Sequence, residues 1–255
     1  MTLQREGRDR VLVLVKALPH VGKEHGETVC CAGVTIDGEW RRLFPVPFRR
    51  LDNKFKRWNW IEFQWRTAYP KDKRPESRRL QEHTIKIAGT LRSAERAKFL
   101  SRVIVSSVNE AADRGQTLAL IRPTRVKFSA TKKSLQDMDF EKRAYAAAAA
   151  QSSFLDDELR ALEPCPYAFN FRYESSDGRS HQATSDDWET AAMFYKFRRL
   201  YGESKALAMM KETFEVTYPS KGMAFAMGTH SRYPKTWLLV GIIRIDEEPQ
   251  SSLLL

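Results

Sequence analysis

The chain has 255 residues, of which 42% are hydrophobic and 29% are charged. This balance is typical of one large or two modest globular domains, and it excludes a mostly disordered chain, a collagen and a disulfide-rich miniprotein. Lys and Arg outnumber Asp and Glu by 43 to 32, which gives a net charge of +11. The positive charge predicts a polyanionic partner without identifying a reaction.

The apolar runs and the cysteines indicate the cellular compartment of the protein. The longest apolar run, residues 237–243, is about a third of the length that crosses a bilayer, and the first ten residues contain no apolar signal core. Three cysteines, two of them adjacent, fit a reducing compartment. We therefore expect a cytoplasmic protein that does not bind membranes.

The first ninety residues are rich in strand signals. Five segments are predicted strands: 10–18, 29–36, 39–44, the alternating segment that begins at Trp60, and 84–88. Asp37-Gly38 is typical of a tight hairpin turn, and Pro45 and Pro47 exclude a central strand position beyond residue 44. About five short strands predict a small barrel or a strongly curved sheet.

Helices and strands mix in the rest of the chain. The predicted helices are 93–114, 134–162, one that opens at 185–189, and 203–216. The predicted strands are 118–129 with a break at Pro123, 166–173, 180–184, 223–227 and 236–245. The sequence therefore predicts an α+β protein. It also predicts two domains: residues 1–145 as a β-rich basic and aromatic domain with one helix, and residues 146–255 as an α+β domain.

One segment combines positive charge with aromatic rings. Between residues 41 and 79 there are thirteen Lys or Arg, four Asp or Glu and eight aromatic residues. Cations neutralise phosphates and flat rings stack on bases, so this mixture predicts a nucleic-acid surface. The candidate ligands are Arg41, Arg42, Arg49, Arg50, Lys54, Lys56, Arg57, Trp58 and Trp60, with Arg122, Arg125 and Lys127 in a second cluster.

The two tryptophans are the stacking candidates because they precede or share the polar face of the predicted strand. The alternative is that all these rings belong to the core and the cations form its solvated rim.

A polar loop between the last two predicted strands, residues 228–235, is the most ligand-like. It supplies an imidazole, cations, hydroxyls and a phenol, contributed by Thr229, His230, Arg232, Tyr233 and Lys235. Binding residues concentrate on loops braced in this way, and His230 could act as a general acid or base while Arg232 and Lys235 hold phosphate. An ordinary polar hairpin loop accounts for the residues equally well.

Metal and cofactor signals are weak. Asp52 and Glu62 loosely imitate the paired carboxylates of a magnesium-dependent nuclease, so magnesium is expected only if the chain is a nuclease. Cys30 and Cys31 point to opposite faces of a strand and do not fit a zinc site. No other cofactor is predicted, since no glycine-rich phosphate loop and no hydrolase nucleophile motif occurs.

A second polar set lies at residues 181–189, where a strand end meets a helix start. His181, Asp187 and Glu189 could form a site, but Asp186 or Asp187 as the helix cap, with the acids near the positive helix end, is the favoured interpretation.

Several stretches resemble known families. Residues 26–33 (GETVCCAG) with 40–49 (WRRLFPVPFR) resemble the N-terminal part of a bacterial protein family of uncharacterised function, and 186–189 (DDWE) and 228–230 (GTH) are similar to its later landmarks. The last forty residues or so are also similar to PUA-like and ASCH-type domains. That resemblance implies a PUA-like C-terminal half whose cleft holds RNA, modified bases or nucleotides, as in several members.

Taken together, these patterns predict a nucleic-acid-binding protein that prefers RNA or single-stranded DNA to duplex DNA, because curved sheets with aromatics suit splayed bases and no recognition helix is evident. One alternative is a nuclease or nucleotide hydrolase that uses the His230 loop. Another is an interaction subunit whose basic face binds an acidic protein.

Overall fold

The computed structural model describes residues 5–18, 20–22, 26–47, 55–70, 72–152, 163–231 and 233–247. Within these ranges the chain has the mixed α+β architecture that the sequence predicts, with a closed β-barrel at the N-terminal end. Elements below are numbered in chain order.

The barrel is formed by β1 (Glu6–Lys16), β3 (Gly26–Thr35), β4 (Trp40–Pro47), β5 (Asn59–Thr67) and β6 (Ser77–Leu80). The strands hydrogen-bond in the order β1-β3-β4-β6-β5, and β5 pairs back onto β1 to close the ring. Two short strands extend it, β2 (His20–Gly22) on β3 and β7 (Lys86–Thr90) on β5. Its interior is filled by apolar side chains that include Val11, Val13, Leu43, Ile61, Phe63 and Trp65. The predicted small barrel is confirmed.

The hairpin between β3 and β4 follows the turn signal. The amide of Gly38 donates to the carbonyl of Thr35 at 3.1 Å, and Gly38 has a φ of +89°, which only glycine adopts at low cost. Strand β4 pairs with β3 as far as Pro47 but with β6 only over residues 42–44. The prolines therefore lie at an open edge, as their missing amide hydrogens require.

The predicted helix over residues 93–114 is wrong, because the chain breaks there into two helices around a strand. Helix α1 (Ser93–Leu100) is followed by β8 (Ile104–Val105) and α2 (Val108–Asp113). Strand β8 pairs in parallel with β9 (Leu118–Ile121). β-Branched side chains favour strand when a partner is present, and Ser107 caps the second helix by accepting from the amide of Glu110 at 3.3 Å.

The C-terminal part contains two sheets. The first consists of β10 (Thr124–Lys132), β11 (Tyr167–Glu174) and β12 (Ser180–Thr184), and the second joins β8 and β9 to β13 (Met223–Thr229) and β14 (Trp237–Arg244). The helices are α3 (Leu135–Ser152), α4 (Trp188–Tyr201), α5 (Glu203–Glu212), a π-helical turn (Thr213–Thr217) and α6 (Tyr218–Ser220). A shared core includes Phe128, Phe169, Phe171, Phe194, Phe214 and Phe225. None of the helices in the described ranges is long and apolar enough to span a membrane.

Residues 11–15 of strand β1 are buried on both faces, and this part of the strand joins the barrel to the second sheet. Val11 and Val13 lie in the barrel interior, whereas Leu12 and Leu14 belong to a second core shared with Ile243 of β14 and its neighbours. A side chain on Gly241 would place its Cβ 3.1 Å from the Val15 side chain, so the glycine lets β14 approach β1 closely. The site described next lies at the end of this strand.

Candidate functional site

A cavity of about 340 Å³ lies between the barrel and the start of α4. It is lined by the end of β1, by the segment that enters β5 and by the first residues of α4: Val13, Leu14, Val15, Lys16, Phe55, Lys56, Arg57, Trp188 and Glu189. Its volume falls at the lower end of the range for pockets that hold small molecules, so it suits a ligand the size of a nucleotide.

The cavity opens where β1 changes partners. On this edge, β1 pairs with β5 from Glu6 to Leu12, and the carbonyl of Val13 then accepts from the amide of Trp58 at 2.9 Å. Farther on, the amide of Leu18 donates to the carbonyl of Asp186 at 2.8 Å, just before α4 begins. The strand edge between these two contacts forms one wall of the cavity.

A buried ion pair supports the base of this wall. Asp187 caps α4 by accepting from the amide of Glu189 at 3.2 Å, and its carboxylate also accepts from the amide of Ile242 at 2.9 Å and from Arg57 at 3.3 Å. Arg57 in turn donates to the carbonyl of Ile242 at 2.7 Å. Complete burial raises the pKa of Asp187, although the Arg57 guanidinium and these amides favour the carboxylate. The prediction that Asp186 or Asp187 caps the helix is confirmed for Asp187.

The polar lining is mostly cationic. Lys16, Lys56 and Arg57 supply three positive groups against the single carboxylate of Glu189, and the ring of Trp188 is half-buried against the barrel core. Cations beside an aromatic wall can hold a phosphate and a stacked base together. Glu189 adds an acceptor, which can pair with the exocyclic amine of a base.

Trp58 and Trp60 do not present exposed rings, contrary to the expectation that they are free to stack on bases. Both are at least nine-tenths buried in the core that joins the barrel to the second sheet. Trp60 packs edge-on against Phe99 at a centroid distance of 5.4 Å, and the Arg96 guanidinium lies 4.3 Å from the Trp58 ring. The polar face of β5 at this end is covered by α1, which the alternation pattern could not reveal.

Arg41 and Arg42 are also engaged inside the protein rather than displayed for phosphates. Arg41 donates to Asp9 at 2.8 Å and to Glu39 at 2.7 Å. Arg42 is buried, which lowers the pKa of its guanidinium, and it donates to the carbonyl of Thr117 at 3.0 Å. Asp9 and Thr117 are distant from these arginines in sequence, whereas Glu39 is two positions from Arg41.

Each of the three cations in the second basic cluster lies near a carboxylate. Arg122 forms an ion pair with Glu247, and Arg125 pairs with Glu174 at 3.1 Å. Lys127 lies on the outer face of β10 with its ammonium 3.4 Å from Glu215, and most of the side chain is exposed. These three residues lie outside the cavity.

The loop between β13 and β14 folds around its histidine. The Nδ1 atom of His230 accepts from the amide of Tyr233 at 3.2 Å, and the two rings stack at a centroid distance of 5.1 Å. Thr229 is buried, whereas Tyr233 and Lys235 are exposed. Arg232 lies outside the described residues, so the predicted pairing of an imidazole with two phosphate-binding cations is described only in part.

The nuclease candidates are not brought together within the described part of the chain. Glu62 is exposed on β5, 3.8 Å from Arg10. Asp52, Arg49, Arg50 and Lys54 lie outside the described residues. Among the described residues there is no group of three or more His, Cys, Asp or Glu side chains placed to hold a metal ion.

Sequence reasoning identified Lys56 and Arg57 and considered Glu189 in a different polar set, but it missed Lys16 and Trp188 as lining residues. Trp188 and Glu189 were interpreted as the start of a helix, which they are. A usable signal was the tryptophan directly after the cap residue, at a position where proline is over-represented.

Comparison with protein families finds a matching family model for each of two segments of the chain. Residues 7–104 match the model of Domain of unknown function (DUF8758), and residues 101–255 match that of Domain of unknown function (DUF8757). The two matches meet where α1 leads into β8. No curated protein matches the chain. Because the second match covers more than half of the chain, the chain belongs to the family Domain of unknown function (DUF8757).

Proposed function

We propose that this protein binds single-stranded nucleic acid, RNA above all, by taking a base into the cavity between the barrel and α4. The observation that carries the proposal is the convergence of the Trp188 ring with Lys16, Lys56 and Arg57 on one cavity. A chain with a net charge of +11 provides the long-range attraction for such a polyanion.

The aromatic and cationic groups have complementary tasks. Trp188 supplies the stacking surface that was expected of Trp58 and Trp60, and Lys16 and Lys56 neutralise the phosphates that flank the inserted base. Arg57 is held by Asp187, so it contributes a fixed positive charge at the base of the cavity. The resemblance of the C-terminal strands to PUA-like domains, several of which hold RNA in a cleft, points in the same direction.

A single strand fits this geometry better than a duplex. A base can enter a pocket of this size only when it is unstacked and unpaired, and extrusion from a duplex costs a few kcal/mol. We therefore expect binding in the order single-stranded RNA, single-stranded DNA, duplex DNA.

The test compares Lys56→Gln with Arg66→Gln, which removes the same charge from the opposite end of the barrel. Arg66 pairs with Glu6, ten residues along β1 from Lys16, which is about 33 Å along the strand. Measured by fluorescence anisotropy with a labelled dodecanucleotide at several salt concentrations, Lys56→Gln should reduce the slope of log affinity against log salt by about 0.7, the value for one phosphate contact. Arg66→Gln should match the wild type.

A second variant tests the ring. Trp188→Ala should weaken binding by about 1–3 kcal/mol, the range measured for one stacked base, and Trp188→Phe should restore most of the loss. Thermal unfolding of each variant separates lost binding from lost fold. Equal affinities for wild type, Lys56→Gln and folded Trp188→Ala would remove the cavity from the function, and no oligonucleotide binding by the wild type would favour an acidic protein as the partner.

A further inference from the structure

The outer face of the three-stranded sheet is polar across its whole width. Its inner face packs the phenylalanines of the C-terminal core, while the outward positions carry Lys127, Ser129, Thr131, Asn170, Arg172, Gln182 and Thr184. An antiparallel sheet of this kind packs one face on the core and leaves the other open to solvent, so the outer face is accessible to a ligand.

Two cations face each other in the central row of this sheet. Lys127 of β10 is directly opposite Arg172 of β11, and Arg172 is directly opposite Gln182 of β12. Like charges at directly opposed positions destabilise a sheet unless something neutralises them. Glu215 partly neutralises Lys127 at 3.4 Å, but no carboxylate in the described part of the chain pairs with the exposed Arg172.

The neighbouring row fixes the shape of the surface. The Thr184 hydroxyl donates to the side-chain Oδ1 of Asn170 at 2.7 Å, and the side-chain Nδ2 of Asn170 donates to the Thr131 hydroxyl at 3.1 Å. Beside this ladder is a concavity of about 240 Å³ whose lining includes Lys127, Arg172 and Gln182. Ammonium, guanidinium and amide donors that converge on one hollow suit an oxyanion with several acceptor atoms.

We infer that this row binds a phosphate of the nucleic-acid strand whose base enters the cavity at α4, an inference that rests on the proposed function. Strand β12 leads directly into α4, so Gln182 and Trp188 are six residues apart and at most about 21 Å from each other along the chain. At about 3.4 Å per stacked nucleotide, six or fewer stacked nucleotides cover this separation. A dodecanucleotide is therefore long enough to contact both sites, whereas a mononucleotide occupies one site at a time.

The test measures binding of the dodecanucleotide and of a mononucleotide to Arg172→Gln. We expect the salt slope for the dodecanucleotide to fall by about 0.7 relative to the wild type, because one phosphate contact is lost. Arg172→Lys should retain the slope, since it keeps the charge. A mononucleotide whose base enters the cavity should bind Arg172→Gln and wild type equally, and Arg66→Gln serves as the charge-matched control.

The experiment can contradict the sheet site and the cavity site independently. If Lys56→Gln weakens dodecanucleotide binding and Arg172→Gln leaves it unchanged, the sheet site is wrong while the cavity stands. If Arg172→Gln weakens binding and Lys56→Gln does not, the cavity is wrong and the sheet carries the nucleic acid. An oligoglutamate that binds as tightly as the dodecanucleotide, with the same sensitivity to Arg172→Gln, would overturn the inference in favour of an acidic protein partner.

Discussion

At the scale of single residues, the role of each cation depends on partners that the local sequence does not show. Arg41 and Lys56 belong to the same basic segment, but Arg41 is neutralised by Asp9 and Glu39 while Lys56 borders the cavity. Asp9 is thirty-two positions away along the chain. Composition therefore predicted a polyanionic partner, and it could not distinguish cations that stabilise the fold from cations that are free to bind.

The buried tryptophans give a prediction for stability. Trp60→Ala should lower the free energy of unfolding by about 3–5 kcal/mol, because a large ring packed against Phe99 is replaced by a void. Denaturant unfolding measures the change. Tyr233→Ala, which removes an aromatic ring that is 65% exposed, should change stability by less than about 0.5 kcal/mol. If both variants lose the same stability, the assignment of Trp60 to the core is contradicted.

At the scale of elements, the start of α4 is held by its buried cap. Asp187→Ala should cost about 3–5 kcal/mol of unfolding free energy, because it removes the helix cap and leaves Arg57 buried without its carboxylate. The same variant should weaken oligonucleotide binding, since Arg57 and Trp188 line one cavity.

Asp186→Ala is the neighbouring control, because the side chain of Asp186 is only half-buried. Thermal melts of the two variants compare the positions directly. Equal loss of stability at both would show that the cap does not depend on the Asp187 carboxylate.

The elements that were predicted correctly have local signals. The Asp37-Gly38 turn, the alternation of β5 and the prolines of β4 each depend on residues within a few positions of each other. The segment 93–114 was misread because β8 becomes a strand only by pairing with β9, more than a dozen residues farther along. The cavity was missed for the same reason, because Lys16 and Trp188 are far apart in the sequence and line one cavity only in the folded protein.

At the scale of the whole molecule, arginines of the barrel attach it to the C-terminal part. Arg42 donates to Thr117, Arg74 donates to the carbonyl of Thr229 at 3.2 Å, and Arg57 bonds to Asp187. These three arginines therefore stabilise the junction between the two matched segments.

The free energy of unfolding depends on pH at this junction, because Arg74 also binds the carboxylate of Asp72. Burial alone would raise the pKa of Asp72, but two hydrogen bonds of 2.8 Å from Arg74 lower it below its ordinary value of 3.8. The ionised carboxylate is thus favoured in the folded state, so its stabilising contribution is present above that value and is lost as the pH falls through the lower folded pKa.

Denaturant unfolding at neutral pH and near pH 3 measures this contribution. Asp72→Asn should be less stable than the wild type at neutral pH, and it should lose less stability on acidification because it has no carboxylate to protonate. If the wild type and Asp72→Asn lose the same stability between the two pH values, the Asp72–Arg74 pair does not contribute to acid sensitivity.

The burial of β1 on both faces has a consequence for inheritance. Leu14 on β1 and Ile243 on β14 are walls of one core, although they lie in segments matched by two different family models. A change of volume at either position has to be compensated at the other, because a close-packed core tolerates neither a void nor an overlap. The barrel is therefore not an exchangeable module, because a barrel from another protein would not be complementary to the core surface of the C-terminal part. We expect the two segments to be inherited together, with correlated substitutions across their shared core.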